Sequence, residues 1–85
     1  MNNFKEVINI GNELSKRING IGVTNLDELQ KNGSKQTRIN LVANNYDVCI
    51  NSLYALEGAI KGIRWHHLSK EEKYELKQLF EENFR

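Results

Sequence analysis

Projected as a helix at about 100° per residue, the stretch Asp47–Lys61 (DVCINSLYALEGAIK) is apolar over more than half its circumference. Val48, Cys49, Ile50, Ser52, Leu53, Ala55, Leu56, Ala59 and Ile60 fill that arc, and Asp47, Asn51, Tyr54 and Lys61 form a narrow polar strip. A helix of this kind must be enclosed by other elements. It carries a small-residue ridge (Ser52, Ala55, Ala59, Gly62), where another helix can approach closely. It also carries a large-residue ridge (Cys49, Leu53, Leu56, Ile60), which supplies core volume. Leu53 and Leu56 are its expected structural anchors.

The other apolar patterns are narrower. Phe4–Ile10 is a short apolar-rich lead-in, interrupted by Gly11. Asn12–Asn19 reads as a helix with Leu14 and Ile18 on one face, ended by Gly20-Ile21-Gly22. Asn25 is the expected N-cap of a second helix with Leu26 and Leu29 inward. Glu28, three residues on, resembles the acid of a capping box and suits the helix dipole. Gly33 closes that helix. Ser34 is read as the cap of a third, running to about Ala43 with Ile39, Leu41 or Val42 buried. After the central helix, Ile63 and Trp65 fold back beneath it. Ser69-Lys70-Glu71-Glu72 is a capping box for a last helix to about Asn83, with Leu76, Leu79, Phe80 and Phe84 on one stripe. The pattern predicts an all-α fold: one compact domain of about five short helices around a buried central helix, helix-hairpin-helix-like.

Size and composition agree with one modest core. The chain has 85 residues, 39% hydrophobic and 27% charged, with no proline. It lacks the run of about 18 apolar residues that a membrane-spanning helix needs, and its polar N-terminus does not read as a signal peptide. A lone cysteine, Cys49, excludes an internal disulfide and is expected to be a buried, inert thiol. A cytoplasmic location is expected. The formal charge is +1. Residues 1–45 hold six basic and four acidic side chains, whereas residues 46–85 hold six basic and seven acidic. An anion-binding surface is therefore expected in the first half.

Four groups of residues are chemical candidates. The first is Ile10-Gly11-Asn12 with the helix that follows. In DNA-binding helix-hairpin-helix motifs, a glycine turn ahead of a helix aims backbone N–H groups at a phosphate. Such contacts carry no base information. Gly11 and Asn12 could play that part, with Lys16 and Arg17 as flanking cations. The usual turn has two glycines separated by one apolar residue, and this chain has only Gly11 there, with Glu13 close by. A hairpin serving only as scaffold or protein interface is the other reading. The second candidate is Glu57, which projects onto the apolar side. It needs partners if buried, either backbone N–H groups at another helix's N-terminus or Arg64. It is read as a structural anchor, since acid–base catalysis would need a second positioned group. The third is Trp65-His66-His67. Adjacent histidines diverge, so no metal site is expected, and Trp65 is assigned to the core with its indole N–H seeking an acceptor. The fourth is a basic strip, Lys31, Lys35 and Arg38, with Lys35 and Arg38 on one face; an ordinary solvated face is the preferred reading of it. No phosphate-cradling loop, nucleophile elbow or dinucleotide fingerprint is present. No enzyme, cofactor or small-molecule substrate is expected.

The block Leu53-Tyr54-Ala55-Leu56-Glu57-Gly58-Ala59-Ile60-Lys61-Gly62-Ile63-Arg64-Trp65-His66-His67-Leu68 resembles the signature of the TfoX (Sxy) C-terminal domain family. Asn9-Ile10-Gly11, the Gly22-Val23…Leu26…Glu28-Leu29 hairpin, Gly33 and Leu68…Lys73…Leu76 fit the same pattern. The resemblance runs from about Asn9 to Phe80, so residues 1–85 are read as one such domain. The α+β domain that precedes it in the best-known members has no counterpart here. The resemblance implies a small helical domain related to helix-hairpin-helix modules. It also implies a role in regulating natural competence, promoting transcription of DNA-uptake genes near promoter DNA or with a cyclic-AMP receptor-type activator. It supplies no catalytic residue. The expected function is thus a non-enzymatic regulatory module acting through DNA or a DNA-bound regulator. Gly11, Asn12, Lys16 and Arg17 are the expected contact surface, and Lys35 and Arg38 the second choice. The alternative is a protein-interaction module without a nucleic-acid role.

Overall fold

The structure, a computed structural model, describes Phe4, residues 7–46 and residues 48–83. Among these are four α-helices: α1 (Asn12–Gly20), α2 (Leu26–Ala43), α3 (Ile50–Lys61) and α4 (Lys70–Asn83). A short 3₁₀ turn, Trp65–His67, connects α3 to α4. No strand occurs among the described residues.

Three helix ends use one device. In each, the N–H two residues beyond the final turn bonds back five residues, the residue before it takes a left-handed conformation, and the chain then delivers a hydrophobic side chain inward. After α1 the bonds are Val23 N–H to Ile18 O (2.9 Å) and Gly22 N–H to Asn19 O (3.1 Å), with Gly22 at φ 90°. After α2 they are Tyr46 to Leu41 and Asn45 to Val42, both 3.0 Å, with Asn45 at φ 66°. After α3 they are Ile63 to Gly58 (2.9 Å) and Gly62 to Ala59 (3.2 Å), with Gly62 at φ 75°. The glycine stops at Gly20–Gly22 and Gly62 are where the sequence placed them.

The helix starts are also locally encoded. Asn25 caps α2, its side-chain oxygen accepting from Glu28 N–H at 2.9 Å. Glu28 turns back to accept from the Thr24 N–H (3.2 Å) and the Thr24 hydroxyl, one residue before the cap. The box at α4 is reciprocal: Ser69 N–H to Glu72 Oε1 at 3.1 Å, and Glu72 N–H to Ser69 Oγ at 3.0 Å.

The two helices expected at Asn25–Gly33 and Ser34–Ala43 form one continuous element, α2, in which Gly33 (φ 78°, ψ 162°) is non-helical, so two helical segments meet there at a kink. Thr37 Oγ1 donates to Gly33 O at 2.7 Å, and Asn32 Nδ2 to Glu28 O at 2.9 Å, so carbonyls on both sides of the kink have partners. Ser34 is not the cap expected of it; its hydroxyl is spent on α3, as described below.

α3 is the centre of the fold, packed against α2, α4 and the 3₁₀ turn, while α1 lies on α2. The large-residue ridge of α3 does not serve a single core. Leu56, with Ala59, joins Phe4, Ile10, Ile18, Val23, Leu29, Leu41 and Val48 in a first cluster. Leu53 joins Leu68 and Leu76 in a second, bordered by Ile50, Tyr54, Ile63, Trp65 and Phe80. Both leucines are enclosed, at 0% and 1% exposure. The helix separates the clusters, and α4 with the 3₁₀ turn covers one of them.

Some expectations are corrected. α3 begins at Ile50; Asp47 lies outside the described residues, and Val48 and Cys49 are extended or turning. Cys49 is exposed, not buried. It occupies the N-cap position of α3 (φ −90°, ψ 167°), ahead of the first helical turn. Its thiol sits 3.3 Å from the Ser52 hydroxyl, an interaction that draws the thiol pKa below its ordinary value. Of the α2 candidates, Leu41 is buried and Val42 is exposed. Phe84 lies outside the described residues.

Candidate functional site

The start of α1 follows from the turn before it. Val7 N–H bonds Phe4 O at 3.0 Å and Ile10 N–H bonds Val7 O at 3.3 Å, a tight path that places Phe4 and Ile10 in the first cluster. Asn9 then takes a left-handed conformation, φ 71°. Asparagine is one of the few residues that tolerate it, because its short amide can bond locally. Gly11 follows in an extended conformation as the N-cap of α1, with no side-chain cap. Asn9, left-handed and one apolar residue ahead of Gly11, stands where the usual turn has its first glycine.

The Asn9 side chain does more than permit the turn. Its Nδ2 donates to Ile63 O at 2.7 Å, and its Oδ1 accepts from Trp65 N–H at 3.2 Å. One amide thus ties the lead-in to the fold-back after α3, 54 and 56 residues away. Gly58 makes room for it: a Cβ there would lie 2.5 Å from Asn9 Nδ2, 2.8 Å from Ile63 O and 3.1 Å from Trp65 Cα.

The expected contact residues divide. Gly11, Asn12 and Lys16 are exposed, and Arg17 is half-buried. Asn12 and Lys16 are four residues apart and share one face of α1; Glu13, exposed, holds the adjacent position. Lys35 is exposed on α2. Arg38 is not a surface cation. It is 2% exposed, with Nη2 donating to Phe80 O at 2.9 Å and Nη1 to Leu79 O at 3.4 Å. Its guanidinium lies 4.5 Å from the Phe80 ring centroid. It serves the last carbonyls of α4, where a cation also complements the helix dipole. Burial pulls its pKa below the ordinary arginine value. The Lys35–Arg38 strip is thereby reduced to Lys35.

Glu57 is anchored, but by other partners than those expected. Its Oε1 accepts from the buried Ser34 hydroxyl at 2.7 Å, and Oε2 pairs with Lys61 Nζ at 3.5 Å. Lys61 also pairs with Glu72. The chain links α2, α3 and α4 through side chains; Arg64, past the Gly62 turn, is exposed. Trp65 is half-buried at the rim of the second cluster, not in its interior. Its ring stacks with Tyr54 (centroids 5.8 Å apart, 21° between planes) and with His66 (3.9 Å, 26°). Lys73 Nζ is 5.7 Å from its centroid. Among the described residues no three His, Cys, Asp or Glu side chains converge as metal ligands. None of the helices is long and apolar enough to cross a membrane.

A family model described as the TfoX C-terminal domain matches residues 1–80. The chain belongs to that family. Two crystal structures from Listeria monocytogenes are similar to it. An uncharacterized protein in a triclinic form is 43% identical, with a TM-score of 0.84 over 88% of this chain and 85% of that one. A protein of unknown function in a tetragonal form is 40% identical, with a TM-score of 0.86 over 91% and 95%. No curated protein matches. The structure gives the TfoX block Leu53–Leu68 a physical content: Leu53 and Leu56 fill two clusters, Glu57 ties α3 to α2, and Gly58 and Trp65 receive Asn9. Sequence reasoning missed the Asn9–Gly58 pair. The available signal was a glycine in mid-helix, which marks close approach more often than it marks a break.

Proposed function

We propose that this TfoX C-terminal domain is a non-enzymatic cytoplasmic module that assists transcription by contacting the DNA backbone, or a regulator already bound to DNA. Its contact surface is the Asn9–Gly11 turn with Asn12, Lys16 and Arg17, and Lys35 on α2 is the second choice. One observation supports the reading: a left-handed Asn9 stands in the first-glycine position before an extended Gly11 and a helix start without a side-chain cap. N–H groups at such a start favour an anion, and Lys16 adds charge on the same side. Contacts of this kind give binding without base selectivity. Regulation of competence is the pathway the family resemblance implies.

A second reading, a protein-interaction module without DNA, is favoured by the burial of Arg38 and by Glu13 in the first turn of α1. Both lower the positive charge available to a phosphate backbone. Fluorescence anisotropy with a labelled duplex across a salt series separates the two. Two or three phosphate contacts give a log–log slope of about −2 to −3, and Lys16→Glu makes it shallower. Absence of binding at low salt, or a slope near zero, rules out direct DNA contact.

A further inference from the structure

We propose that the Arg64–His66 turn, with Tyr54 below it and Lys70 and Lys73 beside it, is a binding platform for single-stranded nucleic acid. An unpaired base would extend the Trp65–His66 stack, and the three cations would supply positive charge for the phosphates.

The first observation is the aromatic surface. A tryptophan that could complete the second core cluster is left half-buried, and the side chain lying flat against it, 3.9 Å away, is an exposed histidine. Covering such a surface with another flat ring is favourable, and every base has a π-face to offer. The second is charge. Arg64, Lys70 and Lys73 fall within ten residues of chain, and Lys73 Nζ stands 5.7 Å from the indole centroid. Of the acids nearby, Glu72 is engaged by Ser69 N–H and by Lys61, while Glu71 and Glu75 line one groove with Lys70 and offset its charge. The third is rigidity. Trp65 N–H is held by Asn9 at 3.2 Å, and the Tyr54 hydroxyl donates to Lys73 O at 3.4 Å. A platform held in place gives up little further entropy on binding. Bases inside a duplex are stacked on each other and cannot offer a face, so the preference is for single strands.

Trp65 is the only tryptophan in the chain, so its emission reports this site directly. The intact protein is titrated at low salt with an oligo-dT strand of about 15 nucleotides, long enough for a site of ordinary size. Expected are saturable quenching, its reversal by salt, and affinity about tenfold above that for a duplex of equal length. His66→Ala, at an exposed position, should leave the melting temperature unchanged and weaken binding of a labelled strand about tenfold. Lys16→Glu should leave the quenching intact, which separates this platform from the α1 surface proposed above. The inference is overturned by unchanged emission and anisotropy at low salt, or by equal affinity for strand and duplex. Displacement of the strand by polyglutamate as readily as by unlabelled oligo-dT, full binding in His66→Ala, or loss of quenching in Lys16→Glu would also overturn it.

Discussion

Gly58→Ala offers the sharpest test of the packing at the α3 corner, because two effects of opposite sign compete there. In an ordinary helix interior, replacing glycine by alanine is worth about 1 kcal/mol in favour of the helix. At Gly58 the new Cβ would lie 2.5 Å from Asn9 Nδ2, 2.8 Å from Ile63 O and 3.1 Å from Trp65 Cα. Only the first of these belongs to a side chain, so little of the clash can be relieved by rotation. Overpacking of this kind costs about 1–3 kcal/mol. Loss of the two Asn9 hydrogen bonds costs about 1 kcal/mol each. The balance is a destabilisation of about 2–4 kcal/mol after the propensity gain is subtracted. In a domain of this size that lowers Tm by about 10–30 °C, measured by far-ultraviolet circular dichroism. Gly11→Ala is the control: its φ is −84° and a Cβ there meets nothing within 4 Å. Asn9→Ala and Gly58→Ala should be less than additive together, since one side chain is the other's nearest obstacle. A Gly58→Ala protein that melts at or above the wild type refutes the reasoning.

Other expectations follow from the same geometry. Leu53→Ala and Leu56→Ala should each cost about 2–5 kcal/mol, read by urea denaturation; an unchanged midpoint in either removes that leucine from its cluster. Arg38→Met should release the end of α4, with faster amide hydrogen exchange in its last turn and little change in α1, and Arg38→Lys should not restore protection because an ammonium cannot span both carbonyls. Uniform protection across α4 in the variant would contradict the clamp. The hydrogen bonds from Thr24 hold the Glu28 pKa below its ordinary value. The unfolded chain therefore binds the proton first as pH falls. The contribution is present above the ordinary glutamate range and is lost as pH drops through the lower folded value. Glu28→Gln should flatten that part of the acid-denaturation profile, and an identical profile would mean that the carboxylate is not engaged.

Much of the fold is decided within single turns of chain, and those parts are legible in the sequence. Asn25 and the Ser69–Glu72 pair start helices because a side chain reaches an N–H three residues away. Gly22 and Gly62 end helices because they accept a left-handed backbone. The breadth of the apolar arc on α3 requires burial on several sides, whatever does the burying, and the long Leu53–Leu68 block identifies the family. The break at Gly33 was also visible, and what the sequence did not show is that the two segments stay joined as one kinked element.

What the tertiary structure alone decided concerns side chains whose partners are distant along the chain. Lys35 and Arg38 are both cations on one face of α2, and only the docking of α4 turns one of them into a buried clamp while leaving the other in water. Cys49 falls on the apolar side of a projection that assumes a helix, but the helix starts after it. Leu53 and Leu56 read as one ridge, and the arrival of α4 and the 3₁₀ turn divides them between two clusters. Asn9 reads as an ordinary turn residue until Ile63 and Trp65 fold back to it. Local hydrogen bonds and backbone preferences act over three to five residues, so their outcome is written in neighbouring letters. A side chain's burial depends on which surfaces arrive from elsewhere, and that is settled only when the helices pack.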